Sequence, residues 1–311
     1  MIIDAHSHLG DVLNYNGGTL IHRTGIRVPD IFNPQALNEQ FQMRNFGFGL
    51  CIYRLLKNQT IKAEAARNAA ATLENMQASL DEAGIDYTVC LPIEPYLTFD
   101  DLRSAVKQDA RILPFTSINF DRMDSVEKKL RADVKNGAYG LKLHPVIQRV
   151  SPSDSRVMQA LEAFQPLGKP VLIHAGKYEY YPVKENKRNI PEYGSIKPIA
   201  GLIRSFPGIK FIVGHSGLFW HREVCELLAG WANVWVDTSF QSPHTIRTLI
   251  ETFGPERVMY ASDWPYGMRP PHVSTVRIAC RGVRTLENRL FFKNAAELLG
   301  LDVKRAEIEN R

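Results

Sequence analysis

The sequence predicts an α/β protein, a (β/α)₈ TIM barrel with loop insertions at its C-terminal face. Eight short apolar runs rich in β-branched residues alternate with helical segments, as in a parallel sheet whose strands are covered on both faces. Several of these runs end in a histidine or an aspartate, and a parallel barrel gathers such strand ends at one face. No Gly-x-Gly-x-x-Gly segment follows a strand, which disfavours a doubly wound open sheet, the main alternative.

The predicted strands are continuous apolar runs of the length that buried strands have. The first begins at Ile2 and leads directly into two histidines. The later predicted strands are, in chain order, Tyr87–Pro92, Ile112–Ile118, Ala138–Leu143, Val171–His174, Ile209–Val213, Val234–Asp237 and Val258–Ala261.

Helices are predicted between the strands, and glycines mark two of their ends. The Ala-rich helix Ile61–Glu82 stops before Gly84, and the helix Asp124–Asn136 is closed by Gly137. The other predicted helices run from Asp100 or Asp101 to about Asp109 and over Asp154–Phe164, Ile196–Phe206, Leu218–Ala229, Pro243–Phe253, Val273–Arg281 and Leu286–Leu299.

Two long segments, residues 11–60 and 177–191, interrupt this alternation. The first contains glycines, prolines and several aromatic residues, among them Tyr15 and the pair Gly17-Gly18. Long loops in compact domains are usually functional or disordered, and the aromatic residues argue against disorder. We expect an ordered insertion that caps the site, and we expect residues 1–311 to form one barrel domain, since this fold tolerates insertions.

The composition is that of an ordinary globular protein, 44% hydrophobic and 23% charged, with a formal net charge of +5. No run rich in lysine and arginine marks a nucleic-acid partner, and no apolar run approaches the ~18 residues of a membrane span. The four cysteines form no Cys-x-x-Cys pair, which favours a reduced compartment. Because the first strand starts at Ile2, no room is left for a signal peptide, and we expect a cytoplasmic protein.

His6 and His8 are separated by one residue at the end of the first strand, so their side chains point the same way. Two such imidazoles are half of a transition-metal site. His174, His215 and Asp263 end later strands, and a set of histidines with one aspartate suits Zn²⁺, Mn²⁺ or Fe²⁺. Such an ion lowers the pKa of its bound water and polarises a carbonyl.

Roles for the residues around this ion follow from their chemistry. Asp263 is expected to bind the metal and to take a proton from the attacking water, while His215 orients that water or stabilises an oxyanion. Asp4 and Ser7 are candidates for fixing the histidine tautomers, and Asp237 is interpreted as a turn residue. The remaining histidines, His22, His221, His244 and His272, are expected to be solvated.

Together these strand ends resemble the amidohydrolase superfamily, and more narrowly the amidohydrolase-related branch that includes aminocarboxymuconate-semialdehyde decarboxylase and 2-pyrone-4,6-dicarboxylate lactonase. The segments that carry the resemblance are D-A-H-S-H, G-L-K-L-H-P, V-L-I-H-A-G, I-V-G-H-S-G, Y-A-S-D-W-P and the closing K-N-A-A-E-L-L-G-L. The resemblance implies a (β/α)₈ barrel with a divalent metal, usually zinc. It implies His6, His8, His174 and Asp263 as ligands, with His215 acting beside the metal.

Lys142 and His144 alternate on one face of the fourth strand, so both are candidates for the site. The simpler interpretation is that Lys142 binds a substrate carboxylate and that His144 contacts either the substrate or a metal ligand. Trp264 is expected either to form a wall of the pocket or to pack in the core. In some amidohydrolases a carboxylated lysine on this strand bridges two metals. One ion per chain is therefore the expectation, and two ions are the alternative.

The predicted function is a metal-dependent hydrolase acting on an ester, lactone or amide-like bond of a small, carboxylate-bearing substrate. The substrate carboxylate is inferred from Lys142 and from the loop residues Arg23, Arg27, Lys177, Lys187 and Arg188, although solvated charges are the simpler interpretation of the loop residues. A non-oxidative decarboxylase of the same family is the first alternative, and a non-catalytic metal-binding scaffold is the second. A homodimer is suggested by the resemblance alone.

Overall fold

The structure is a computed structural model that describes residues 1–14 and 20–301. Tyr15 and the pair Gly17-Gly18, which the sequence places in the first insertion, lie outside the described residues.

Within these ranges, eight short parallel strands follow one another along the chain. They are β1 (Ile3–Ser7), β2 (Tyr87–Cys90), β3 (Ile112–Pro114), β4 (Leu141–Leu143), β5 (Val171–His174), β6 (Phe211–Gly214), β7 (Val234–Asp237) and β8 (Val258–Met259).

The strands form two ladders, β1-β2-β3 and β4-β5-β6-β7-β8, which are joined at both edges. A parallel bridge pairs Thr116, just after β3, with Leu141 in β4. A second parallel bridge pairs Ser7 in β1 with Trp264, beyond β8. The backbone N–H of Ala5 also donates to the Tyr260 carbonyl at 3.0 Å. These contacts close the sheet on itself, and the predicted barrel is confirmed.

Helices connect and surround the strands. They are α1 (Pro34–Gln42), α2 (Leu50–Ala69), α3 (Leu73–Ala83), α4 (Phe99–Val106), α5 (Val126–Lys135), α6 (Pro145–Gln148), α7 (Ser155–Phe164), α8 (Ile196–Ser205), α9 (His221–Leu228), α10 (Pro243–Phe253), α11 (Arg269–Cys280), α12 (Arg284–Asn288) and α13 (Asn294–Leu299), with a π-helical segment, Arg289–Lys293, between the last two. No helix in the described part of the chain is long and apolar enough to cross a membrane.

Two expectations about helices were wrong. The first insertion, expected to be an irregular ordered segment, contains α1 and the first half of α2. The predicted helix Ile61–Glu82 is two helices, α2 and α3, because the Thr72 hydroxyl caps a new helix by accepting from the Asn75 N–H at 3.2 Å.

The helix predicted from Leu218 begins only at His221, because Ser216, Gly217 and Leu218 adopt positive φ angles, which a helix does not allow. The last large helix begins at Arg269, four residues earlier than predicted, because prolines are tolerated in the first turn of a helix.

A buried apolar cluster combines side chains of β1, β2, β3, β5, β6 and β8 with residues of α13. Side chains from strands all around the barrel can touch one another only in its interior, so this cluster fills the barrel and α13 packs against it. A larger cluster lies between the strands and the surrounding helices. The polar strand ends described below are thus supported by packed apolar layers.

Candidate active site

The structure brings the strand-end histidines and Asp263 together. The ligand atoms of His6, His215 and Asp263 lie within 4.8 Å of one another. His6 Nε2 is 3.3 Å and His8 Nε2 is 3.5 Å from Asp263 Oδ1. The His174 ring centroid is 5.0 Å from that of His215. All five residues are buried, each 6% exposed or less as a whole residue.

Left-handed backbone turns aim two of these side chains into the site. His215 has φ 56° directly after β6, and Asp263 has φ 58° after β8. This region is unfavourable for most residues other than glycine, although histidine and aspartate are enriched there. Asp263 is held in its turn because its carbonyl accepts from the Tyr266 N–H at 2.9 Å. Strained backbone of this kind is concentrated at functional sites.

The tautomers of His6 and His8 are decided by hydrogen bonds at Nδ1, the ring nitrogen that points away from Asp263. His6 Nδ1 lies 2.8 Å from Asp237 Oδ2, and His8 Nδ1 lies 2.8 Å from the Leu91 carbonyl oxygen. Both acceptors need a proton on Nδ1, so Nε2 of each ring carries a lone pair toward Asp263.

The other two rings follow the same rule. His174 Nε2 donates to the Gly176 carbonyl at 3.1 Å, which leaves Nδ1 with the lone pair. His215 Nδ1 lies 2.8 Å from Ser239 Oγ. The single hydroxyl proton of Ser239 goes to Asp237 Oδ1 at 2.6 Å, so Ser239 accepts and His215 Nδ1 donates. The lone pair of His215 is therefore on Nε2.

Asp237 organises this cluster, a role that the sequence-based interpretation as a turn residue missed. Besides His6, its carboxylate accepts from the backbone N–H of His215 at 3.0 Å and from Ser239. The sequence did contain a signal for this role, because Asp237 ends the apolar run of β7.

Asp4 and Ser7, the predicted tautomer-fixing residues, do not contact the imidazole rings. Asp4 pairs with Arg269 at 2.9 Å, and the Ser7 hydroxyl bonds with Thr88. The expectation for these two residues was wrong because their side chains engage the layer beneath the site.

Burial holds the imidazoles neutral, which is the form that binds metals. It lowers the pKa of His6, His8 and His215 well below the usual value and that of His174 to about 3, with help from the nearby Lys142. Burial also lowers the pKa of Lys142 to about 7, against the attraction of two carboxylates.

Two buried atoms suit a cation as their partner. His174 Nδ1 and Asp263 Oδ1 have no hydrogen-bond partner among the described residues. Asp263 Oδ1 faces the lone pairs of His6 and His8, and these like partial charges repel one another unless a proton or a metal cation lies between them. Nitrogen and carboxylate donors of this kind fit a divalent transition metal.

The three predicted substrate-binding residues lie in different places. His144 lines the cavity above the cluster and stacks on His174 with ring centroids 4.0 Å apart. Lys142 is fully buried, with Nζ 3.2 Å from His6 Nε2, and Trp264 packs under the Arg269 guanidinium. Neither Lys142 nor Trp264 is among the described residues that line the cavity.

The cavity has a volume of about 340 Å³ and opens over the histidines and Asp263. Its walls come from the barrel and from α1 and α2, so the first insertion covers the site. The described walls combine amide and hydroxyl side chains with seven phenylalanine and tyrosine side chains: Phe46, Phe48, Tyr178, Tyr180, Phe219, Phe240 and Tyr266.

No lysine or arginine of the described residues lines this cavity. Arg188 instead stacks on the Tyr181 ring at 3.6 Å and pairs with Glu185 at 2.9 Å. The expectation of a carboxylate-bearing substrate depended on Lys142 and the basic loop residues. Because none of these side chains is among the described residues that line the cavity, this expectation is no longer supported. One acidic side chain outside the metal cluster, Glu64 of α2, lines the cavity instead, and no motif marked it.

A comparison with family models matches the amidohydrolase family over residues 3–301. The chain belongs to the amidohydrolase family. Members of this metal-dependent enzyme family include hydrolases and decarboxylases. None of the curated proteins matches the chain at a significant level.

Solved structures share the amidohydrolase fold at low sequence identity. The 5-carboxyvanillate decarboxylase of Novosphingobium aromaticivorans, solved with manganese and 4-hydroxy-3-methoxy-5-nitrobenzoic acid, has TM-score 0.62 and 14% identity, covering 97% of this chain and 96% of its own. A probable 2-pyrone-4,6-dicarboxylic acid hydrolase of Acinetobacter baumannii, solved with citric acid, has TM-score 0.56 and 14% identity, covering 96% and 99%.

An amidohydrolase of Burkholderia multivorans, solved with bound zinc, has TM-score 0.60 and 12% identity, covering 97% of this chain and 99% of its own. Manganese and zinc are thus the ions recorded in these amidohydrolase structures.

Proposed function

We propose that the protein is a metal-dependent hydrolase that cleaves an ester, lactone or amide-like bond of a small substrate. Zn²⁺ is the first candidate for the ion, with Mn²⁺ or Fe²⁺ as alternatives. When bound, the ion supplies Lewis acidity, which polarises a carbonyl and makes a nearby water more acidic. Four side chains would hold it: His6, His8, His174 and Asp263.

The observation that supports this function best is the position of Asp263. Its Oδ1 faces two imidazole lone pairs, its Oδ2 lies 4.0 Å from His215 Nδ1, and the residue lines the cavity. One carboxylate therefore borders both the ion site and the space where a water reaches the substrate. A general base must lie within hydrogen-bond reach of the proton that it removes, and the position of Asp263 in the cavity wall supports this role.

His215 is proposed to hold the attacking water rather than to donate to an oxyanion. Its Nδ1 proton is engaged with Ser239, and its Nε2 carries a lone pair. A lone pair accepts a hydrogen bond from water, whereas oxyanion stabilisation needs a donor. The aromatic walls shield this step from bulk solvent.

The test is turnover of a panel of lactones, esters and aromatic carboxylates in H₂¹⁸O. A hydrolase gives a product that has gained water and carries one ¹⁸O in the new carboxylate. Asp263→Asn should lower kcat/KM by about 100-fold or more with an unchanged circular dichroism spectrum. Asp124→Asn, an exposed control, should leave turnover unchanged. Near-normal activity of Asp263→Asn would defeat the assignment.

Decarboxylation is the second candidate, and the cavity favours it in one respect. Aromatic walls without a lysine or arginine among the described residues would desolvate a substrate carboxylate, which raises its energy relative to neutral CO₂. The same panel separates the two reactions. Release of ¹³CO₂ from a carboxyl-labelled aromatic acid, without uptake of ¹⁸O, would replace the hydrolase proposal.

A further inference from the structure

Glu64 is a buried carboxyl group in the wall of the cavity that the proposed hydrolytic step does not use. Its side chain comes from α2, lines the cavity and is 5% exposed as a residue. Oε1 accepts from the Tyr178 hydroxyl at 2.7 Å, and Oε2 has no hydrogen-bond partner among the described residues. Buried polar atoms rarely lack a partner, so an unengaged oxygen in a cavity wall points to a ligand.

The buried basic group one turn along the same helix is engaged elsewhere. Arg67, three residues along α2, donates to the Tyr266 carbonyl and stands 3.9 Å from the Glu39 carboxylate. Burial raises the pKa of Glu64 to about 7, since the Tyr178 hydrogen bond and the charge of Arg67 offset only part of the desolvation. Glu64 is therefore a carboxyl group whose charge is not compensated within the wall.

A row of aromatic rings connects Glu64 with the metal cluster. The Tyr178 ring, bonded to Glu64, is 5.2 Å from the Tyr180 ring, and the Tyr180 ring is 6.0 Å from His174. Along this row the Tyr178 and His174 rings are two ring spacings apart, and Glu64 lies beyond the Tyr178 hydroxyl. Glu64 and Asp263 line the same cavity, and the Glu64 carboxylate acts electrostatically on Asp263, so one small ring compound in the cavity borders both the cluster and Glu64.

We propose that Glu64 accepts a hydrogen bond from a hydroxyl or amino group of the substrate, at the end away from the reacting bond. The substrate class is then a small ring compound with a donor group, and a carboxylate at that end is rejected. An acceptor with no lysine or arginine beside it in the described lining attracts donors and repels anions. The proposal rests on the proposed hydrolase only in placing the reacting end at the metal cluster.

The experiment uses a series of probes that differ only at the far end. Benzohydroxamate and its 4-hydroxy, 4-amino and 4-carboxy derivatives share one metal-chelating group, so the ion fixes one end of each ring. Their affinities for the purified, metal-loaded protein are measured by isothermal titration calorimetry. The wild type should bind the 4-hydroxy and 4-amino compounds about tenfold or more tightly than the 4-carboxy compound.

Glu64→Gln should remove this preference. The Tyr178 hydroxyl keeps the amide oxygen, so the amide NH₂ takes the place of the free oxygen, where it opposes donors and no longer repels a carboxylate. Tyr178→Phe, which frees Glu64 from its hydroxyl partner, should weaken the preference and serves as a second variant if Glu64→Gln is unstable. Glu162→Gln, an exposed glutamate on α7, should keep the wild-type order.

The proposal is overturned if the wild type binds the 4-carboxy compound equally well, if Glu64→Gln keeps the wild-type order, or if no hydroxamate binds. Binding order does not depend on turnover, so the two proposals can fail separately. If the protein shows the Glu64-dependent preference among the hydroxamates but hydrolyses no compound of the panel, only the hydrolase proposal is contradicted. If the protein hydrolyses a compound of the panel but binds the hydroxamates without this preference, only the proposed role of Glu64 is contradicted.

Discussion

His6 Nδ1 lies 2.8 Å from Asp237 Oδ2, although the two residues are 231 positions apart in the chain. The contact joins the end of the first strand to the end of the seventh. It leaves the lone pair of His6 on the nitrogen that faces Asp263. The other oxygen of Asp237 accepts from the His215 N–H and from Ser239. One carboxylate thus orients a proposed metal ligand and the residue beside it.

Asp237→Asn should weaken metal binding by about 10- to 100-fold, the usual effect of losing such a partner. An amide can accept from His6 or from the His215 N–H, but its NH₂ then opposes the other donor. The measurement is competition for the ion against a chelator of known affinity, with Asp124→Asn as the exposed control. A folded Asp237→Asn protein with unchanged affinity would return Asp237 to the role of a simple turn residue.

Elemental mass spectrometry should find about one zinc or manganese ion per chain of purified protein. The ion should be lost in the double variant His6→Ala/His8→Ala and in His174→Ala, whose Nδ1 has no hydrogen-bond partner in the described part of the chain. His215→Ala should keep the ion and lose turnover. The ligand atoms of His215, His6 and Asp263 lie within 4.8 Å of one another. If the ion is instead lost in His215→Ala and kept in His174→Ala, His215 is the metal ligand and His174 acts beside the ion.

The same measurement tests the bridged alternative at Lys142. The lysine Nζ is 3.2 Å from His6 Nε2, so a carboxylated lysine at this position is adjacent to the ion site. Two ions per chain, falling in Lys142→Met, would establish a binuclear centre and contradict the single-ion proposal.

His272 should make the protein less stable as pH falls from about 7 to 4. Its Nδ1 donates to the Met268 carbonyl at 2.7 Å, and its Nε2 accepts from the Phe240 N–H at 3.2 Å. Burial lowers its pKa to about 4, against 6.5 in the unfolded chain. Between these values the unfolded chain binds more protons, so the contribution is present above pH 6.5 and is lost as pH falls through this range.

This contribution is at most about 3 kcal/mol. Urea unfolding at pH 7, 5.5 and 4.5 should show the stability advantage of wild type over His272→Asn shrinking by up to that amount. A difference that stays constant with pH would show that His272 does not titrate in this way. The sequence-based expectation of a solvated His272 was already wrong, because the residue is 4% exposed.

Gly267→Ala should destabilise the turn that presents Asp263. An added Cβ would collide with the Ser262 carbonyl oxygen and lie 2.8 Å from the His272 ring. The Gly267 N–H also donates to the Asp263 carbonyl at 3.1 Å, so a shift of Gly267 moves the carboxylate. We expect a loss of about 1–3 kcal/mol in unfolding free energy, with weaker metal binding.

Gly201→Ala is the matched control, since Gly201 lies on α8 and, apart from the adjacent residues and backbone of that helix, no described atom lies within 4 Å of an added Cβ. Alanine there should raise stability by about 0.5–1 kcal/mol, because alanine is the better helix former. Thermal and urea unfolding of both variants checks the pair. Equal effects of the two substitutions would contradict the steric argument for Gly267.

Local patterns determined much of the barrel. The predicted bounds of β5, β7 and α10 agree with the structure to the residue, because apolar runs and helical spacing depend on near neighbours in the chain. The convergence of His6, His8, His174, His215 and Asp263 followed as well, since a parallel barrel places all strand ends on one face. The sequence therefore identified the fold and the set of residues at its centre.

Partners that are distant in the chain were decided by the tertiary structure alone. Asp237 and Asp263 end similar apolar runs, yet Asp237 orients the His6 ring whereas Asp263 faces the lone pair of His6. This difference depends on the backbone turn that follows each strand. Glu64 reaches the cavity because α2 folds over the barrel, and its local sequence contains no sign of this. Hydrogen-bond direction and cavity lining are set by contacts across the barrel, which no periodicity along the chain encodes.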